Sequence, residues 1–149
     1  EAKLARAGAL GLDHRVLVRD RFEPEAGLTD WADLIVELVG GHYLVGDLRA
    51  VAPRGRIMLI GLAAGRETTL DLGALLTKRV SLVGTVLRTR SRQEKTRLLA
   101  AFRERVLPLF ARGKLRPVVD RVFPAADVVE AHRYLEANRN FGSVVLSWR

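Results

Sequence analysis

The sequence predicts an α/β fold built on a doubly wound, mainly parallel sheet. Two apolar runs and their exits carry that prediction. In Gly55–Gly65 (GRIMLIGLAAG), Ile57, Met58, Leu59, Ile60 and Leu62 are interrupted only by Gly61. No polar residue alternates with them, so the run is expected to be a central strand covered by helices on both faces. It leaves through Gly61, Ala63, Ala64 and Gly65. A small-residue exit at the carboxyl end of a parallel strand lets a ligand lie against backbone. Asp33–Gly41 (DLIVELVGG) repeats the design, an apolar strand closed by a glycine pair. The third observation is the alternation of strand-like and helix-like segments along the rest of the chain.

Taken in order, Glu1–Leu10 follows helical spacing through Leu4, Ala7 and Leu10, with Gly11 as the C-terminal stop. No Met opens the chain, and this helix is expected to be the tail of one belonging to a longer protein. Arg15–Arg19 (RVLVR) is expected to be a short strand, three apolar residues between charges. Asp20–Asp30 is polar, holds Pro24 and Gly27, and is expected to be a loop. Trp31 is expected to pack under the next strand, Asp33–Val39. Glu37 interrupts that strand, either because it sits at a ligand end or because it pairs with an arginine. Gly41–Val51 fits a helix with Tyr43, Leu44, Leu48 and Val51 on one face. Pro53–Arg54–Gly55 then turns the chain into the central strand.

Leu70–Lys78 is expected to be a short helix and Val80–Leu87 the next strand, with Gly84 marking a bulge or a close backbone approach. Ser91 and Glu94 form a capping box that opens the longest helix. Its apolar stripe runs through Leu98, Leu99, Phe102, Val106, Leu109 and Phe110 to Gly113, and Pro108 should end or kink it. Val118–Phe123 is expected to be a strand. Asp127 with Glu130 should cap a helix carrying Val128, Ala131, Leu135 and an interior Tyr134. Asn138–Gly142 stops it, and Ser143–Trp148 is the final strand. There is no internal repeat and no low-complexity segment.

Composition bounds the function. A chain of 149 residues that is 48% hydrophobic is long enough to bury a core and too apolar for disorder. No apolar run approaches the ~20 residues that span a bilayer, and no charged-then-apolar leader opens the chain. The protein is therefore expected to be soluble and cytoplasmic. With no cysteine, disulfides and thiolate metal sites are excluded. The net charge of +8 comes mostly from arginines scattered among acids, which fits a solvated surface better than a nucleic-acid stripe. His14, His42 and His132 have no metal-ligand spacing, and no metal site is expected. There is no G-x-S-x-G elbow, no Walker loop and no G-x-G fingerprint. No catalytic residue is assigned.

Four stretches in order, DLIVELVGGHY, APRGRIMLIGLAAG, KRVSLVGTVLRTRS and DVVEAHRYLEANRNFGSVVL, resemble the medium-chain dehydrogenase/reductase superfamily. The branch they resemble is the zinc-independent NADPH:quinone oxidoreductases of the zeta-crystallin type. The resemblance covers nearly the whole chain. It implies a two-domain enzyme, a GroES-like catalytic domain followed by a Rossmann domain, of which this chain corresponds to a C-terminal fragment. Residues 1–113 would be the later part of the Rossmann domain, without its first two strands and their glycine-rich turn. Residues 114–149 would be the tail that returns to the catalytic domain. In the family's sheet order the two lost strands lie between Arg15–Arg19 and Asp33–Val39, so open sheet edges are expected.

The implied activity is hydride transfer from NADPH, with NADH as the alternative, to a quinone or enone acceptor, and the implied cofactor contacts follow residue by residue. Lys3 matches the lysine near the 2′-phosphate of NADP. Val18 stands where an assisting tyrosine is usual, with Arg19 as the candidate substitute. Leu38, Val39 and Gly40 match the strand end that passes the ribose. Ile60, Gly61, Leu62 and Ala63 match the wall beside the nicotinamide. Leu87 and Arg88 resemble the segment at its amide, and Asn140 a late contact. The Val80–Leu87 edge resembles the one through which these enzymes form homodimers. The isolated 149-residue chain is expected to be inactive. One alternative is a non-catalytic cofactor-binding or dimerisation module. The other is nucleic-acid binding through Arg88, Arg90, Arg92, Lys95 and Arg97, which a steep salt dependence would mark.

Overall fold

The computed structural model describes residues 2–149, and they fall into two compact units that meet in sequence at Arg90 and Ser91. The first unit opens with α1 (Ala2–Ala7), which tightens into a 3-10 turn over Gly8–Leu10 and stops at Gly11, φ 84°. Then come β1 (Ala32–Glu37), α2 (Tyr43–Ala50), β2 (Val51–Leu59), α3 (Leu72–Lys78) and β3 (Ser81–Gly84). The three strands form one parallel sheet in the order β1-β2-β3. Ile35, Ile57 and Leu82 share one row of the register, and Val36, Met58 and Val83 the next.

The helices α2 and α3 supply the core on one face of this sheet. Leu44, Leu48, Val51, Ile57 and Val80 are its buried members, flanked by Ile35, Leu59, Leu70, Ala74 and Leu75. Ile57, at 2% exposure, is its centre on β2. The expectation that the central strand is covered on both faces is not met. Successive side chains of a strand point to opposite faces; opposite Ile57 on β2, Arg56 is exposed and Met58 only half-buried, and their β1 register partners Leu34 and Val36 are 57% and 55% exposed. Among the described residues no helix covers that second face.

Local signals fare well where they are self-sufficient. Asp71 caps α3 by accepting from the Ala74 N–H at 3.0 Å. Lys78 ends the same helix and donates to the carbonyls of Leu48, Arg49 and Val51 at 2.7, 3.0 and 3.1 Å. One ammonium thus satisfies orphan carbonyls at the end of α2. The turn expected at Pro53–Gly55 survives as an excursion within β2. Between the Ala32–Val51 and Leu34–Arg56 pairs the ladder skips four residues of β2, and Arg54 takes φ 66°.

Three expectations in this unit are corrected. Arg15–Arg19 is not a strand. Three apolar residues give extended tendency, but a strand exists only when a neighbour completes its ladder, and Leu17 stays 42% exposed. Trp31 does not pack beneath β1. It is 57% exposed, its ring meets the edge-on imidazole of His14 at 5.5 Å, and its backbone N–H donates to the Ala50 carbonyl. Gly84 is no close approach, since a Cβ there would meet nothing within 4 Å, and β3 ends at that residue.

The second unit holds α4 (Arg92–Arg105), α5 (Leu107–Ala111), β4 (Val119–Pro124), α6 (Val128–Glu136) and β5 (Ser143–Ser147). The Ser91 hydroxyl accepts from the Glu94 N–H, and the Glu94 carboxylate accepts from the Ser91 N–H at 2.8 Å, the expected capping box. The helical run breaks at Val106, and Pro108 sits in the first turn of α5. β4 and β5 pair in parallel. Asp127 precedes α6 but makes no side-chain cap, because a 3-10 turn over Ala125–Asp127 leads into the helix. Tyr134 is half-buried rather than interior. Its hydroxyl donates to Asp120 at 2.8 Å, and Arg121 and Arg139 lie 5.4 and 5.2 Å from its ring.

Candidate site at the strand ends

In an open parallel sheet, ligands bind beyond the carboxyl ends of the strands. At that edge the exits of β1 and β2 are fastened to each other through backbone. The Glu37 carbonyl accepts from the N–H of Ile60 at 2.8 Å and of Gly61 at 3.3 Å, and the Val39 carbonyl accepts from Ala64 at 2.7 Å. The exit of β3 joins them, Thr85 donating to the Leu59 carbonyl at 3.0 Å. Two glycines make this closeness possible. A Cβ on Gly61 would lie 2.0 Å from the Leu38 carbonyl oxygen. Gly40 takes φ 70°, and its Cβ would meet the Gly61 carbonyl at 2.9 Å.

Beside these exits lies an apolar cleft of about 350 Å³, lined by Leu59, Ile60, Leu62, Gly84, Thr85 and Val86. Ile60 and Leu62 are half-exposed, so a flat apolar ring could cover them. The cleft residues offer one hydroxyl, Thr85, and no charge. Among the described residues no cluster of three or more His, Cys, Asp or Glu could hold a metal, and no helix is long and apolar enough to cross a membrane.

The structure brings Leu38, Val39 and Gly40 against Gly61, Leu62 and their neighbours Ile60 and Ala63. Leu87 and Arg88 lie in the turn after β3, closed by the Arg90 N–H on the Leu87 carbonyl, whereas the cleft is lined two residues earlier by Thr85 and Val86. Lys3 is on α1 and is not a lining residue. Asn140 belongs to the second unit, where its amide donates to the Gly142 carbonyl at 2.8 Å.

Sequence reasoning singled out Glu37 but missed its partner. Glu37, 5% exposed, does not pair with an arginine. Its Oε1 accepts from the N–H of Val39 and, at 2.7 Å, of Gly40. Asp47 of α2, 3% exposed, lies against it. Burial first, then the hydrogen bond with Glu37 and its charge, push the Asp47 carboxyl up to about 8. A signal for Asp47 was present, for it stands between Leu44 and Leu48 on the inward face of α2.

Comparison with known proteins agrees with this architecture. The sequence profile of one family, described as zinc-binding dehydrogenase, matches residues 10–146. A quinone oxidoreductase of Pseudomonas aeruginosa is 32% identical over 76% of this chain and 34% of its own length. The quinone oxidoreductase-like protein 2 of Bos taurus is 28% identical over 77% of this chain and 33% of its own. The crystal structure of an NAD-dependent alcohol dehydrogenase superposes with a TM-score of 0.74 at 34% identity, covering 99% of this chain and 41% of that one. The chain thus spans about a third of the length of these curated relatives.

Proposed function

Because the chain belongs to the zinc-binding dehydrogenase family, in the medium-chain dehydrogenase/reductase superfamily and similar to its quinone oxidoreductases, we propose that it carries part of the nicotinamide-cofactor site of a cytoplasmic oxidoreductase that reduces a quinone or enone. The observation that carries this reading is the pair of fastened strand exits beside an apolar cleft. Leu38, Val39 and Gly40 would border the ribose, and Ile60, Gly61, Leu62 and Ala63 the nicotinamide face. Lys3, Leu87 and Arg88 would add the outer contacts. The cofactor supplies the hydride. The chain's own part is to fix the ring's position and to keep water off it with Ile60 and Leu62. NADPH is favoured over NADH on the strength of Lys3 alone, and Val18 gives no support.

Turnover is proposed to need more of the protein than these residues, in keeping with the third of each relative they span. NADPH and NADH are titrated into the chain while its amide resonances are followed. NADPH is expected to bind weakly, at about 1 mM, and to move the amides of Leu38–Gly40 and Ile60–Ala63, with no quinone reduced. Unmoved amides in those two segments would overturn the reading.

We also propose a homodimer through β3. All four of its residues are exposed, and Leu82 and Val83 remain 39% and 38% accessible on a strand whose outer side has no partner among the described residues. An apolar edge without charges is a template for pairing. Val83→Lys is expected to leave monomers in sedimentation, and a dimer that survives the change would refute this interface.

A further inference from the structure

Glu37 and Asp47 are the buried charged side chains of the described residues, and hydride transfer uses neither. We infer that they form a proton-sharing carboxyl pair that positions the Leu38–Gly41 turn, Asp47 bearing the proton and Glu37 holding the backbone. The inference deepens the cofactor-site reading, because that reading sets this turn along the ribose.

Glu37 is the node of the site. Its side chain takes the N–H groups of Val39 and Gly40, and its carbonyl takes those of Ile60 and Gly61. One residue therefore fixes both strand exits, provided its carboxylate stays aimed at the turn. What faces it from α2 is another carboxyl, and two like charges in contact cannot both persist away from water. No hydrogen-bond donor among the described residues reaches Asp47 Oδ2. With a proton, Asp47 becomes a donor to Glu37 and the conflict becomes a hydrogen bond. Without it, Asp47 repels Glu37 from the turn.

The other charges nearby are engaged elsewhere or exposed. His42 holds the Asp20 carbonyl at 2.9 Å, Arg49 pairs with Glu23, and Lys78 pairs with Asp30. Asp33 of β1 and Arg54 and Arg56 of β2 are exposed. Folding thus raises Asp47 from its ordinary 3.8 to about 8. The folded chain keeps a proton that the unfolded chain releases above about pH 4. The stability this confers is complete below that point, falls as the pH rises, and is gone above about pH 8. Across the window the unfolding equilibrium moves by about tenfold per pH unit for this one proton.

The test follows the Val39 and Gly40 amide resonances of the unmodified chain from about pH 6 to about pH 9. Both are expected to shift with a common midpoint near the Asp47 value. In Asp47→Asn they are expected to stay flat, because the amide donates to Glu37 and does not titrate. In Asp47→Ala they should be displaced at every pH, so that asparagine rescues what alanine loses. Resonances that stay still in the unmodified chain, or that titrate equally in Asp47→Asn, would overturn the pair. NADPH added to the same samples separates the two readings. A titrating turn that ignores NADPH sinks the cofactor site and leaves the pair standing, and a turn that answers NADPH but not pH does the reverse.

Discussion

Gly61→Ala is expected to cost about 3 kcal/mol of stability and to abolish the NADPH response of the strand exits. The added Cβ would stand 2.0 Å from the Leu38 carbonyl oxygen, 2.8 Å from its carbon and 3.2 Å from the Leu38 Cα. All three are backbone atoms, so no side chain can swing aside to make room. The exits must part, and parting them breaks the bonds from the Ile60 and Gly61 N–H groups to the Glu37 carbonyl. The φ of Gly61 is not positive, so the cost comes from contact and not from the dihedral. Gly84→Ala is the matched control. It adds the same methyl at the end of the adjacent strand, where nothing lies within 4 Å, and should stay within about 0.5 kcal/mol of the parent. Urea unfolding midpoints of the two variants decide the matter. Equal midpoints would show that the exits are not fastened as described.

The same contrast explains what the sequence disclosed and what it withheld. The Ser91–Glu94 box, the stop at Gly11 and the break ahead of Pro108 were legible because each depends on residues within one turn of one another. The strand exits were legible because glycines and alanines after an apolar run have few other uses. Arg15–Arg19 was misread because strand formation is a property of a pair of segments, and RVLVR contains no information about its partner. Trp31 was misread for a related reason. A large ring implies packing only where a surface faces it, and Trp31, just ahead of β1, stays 57% exposed. Glu37 lies between these cases. An acid within an apolar strand ahead of two glycines announces a special role, but choosing between an arginine partner and a place at the ligand end requires knowing that its carboxylate takes the N–H groups of Val39 and Gly40.

Ile57→Ala is expected to be the most damaging single change in the chain, at about 4 kcal/mol. Ile57 is 2% exposed on the central strand and is itself one of the five buried side chains of this core. Three of those five, Leu44, Leu48 and Val51, come from α2 and the residue after it, so the cavity opens beneath the helix that carries Asp47. Native stability is on the order of 5–15 kcal/mol, and a loss of this size removes a large part of it. Ile57→Val deletes one methylene and should cost about 1 kcal/mol, which separates the cavity from any change in strand tendency, since valine favours strands as isoleucine does. Val36→Ala tests the opposite face. Val36 lies in the next row of the register at 55% exposure, and its truncation should cost under about 1 kcal/mol. Similar costs at Ile57 and Val36 would mean that both faces are covered in solution, by a partner or by protein beyond these residues. A steep difference would mean that the α2–α3 face alone holds the sheet, and with it the strand ends that form the cleft.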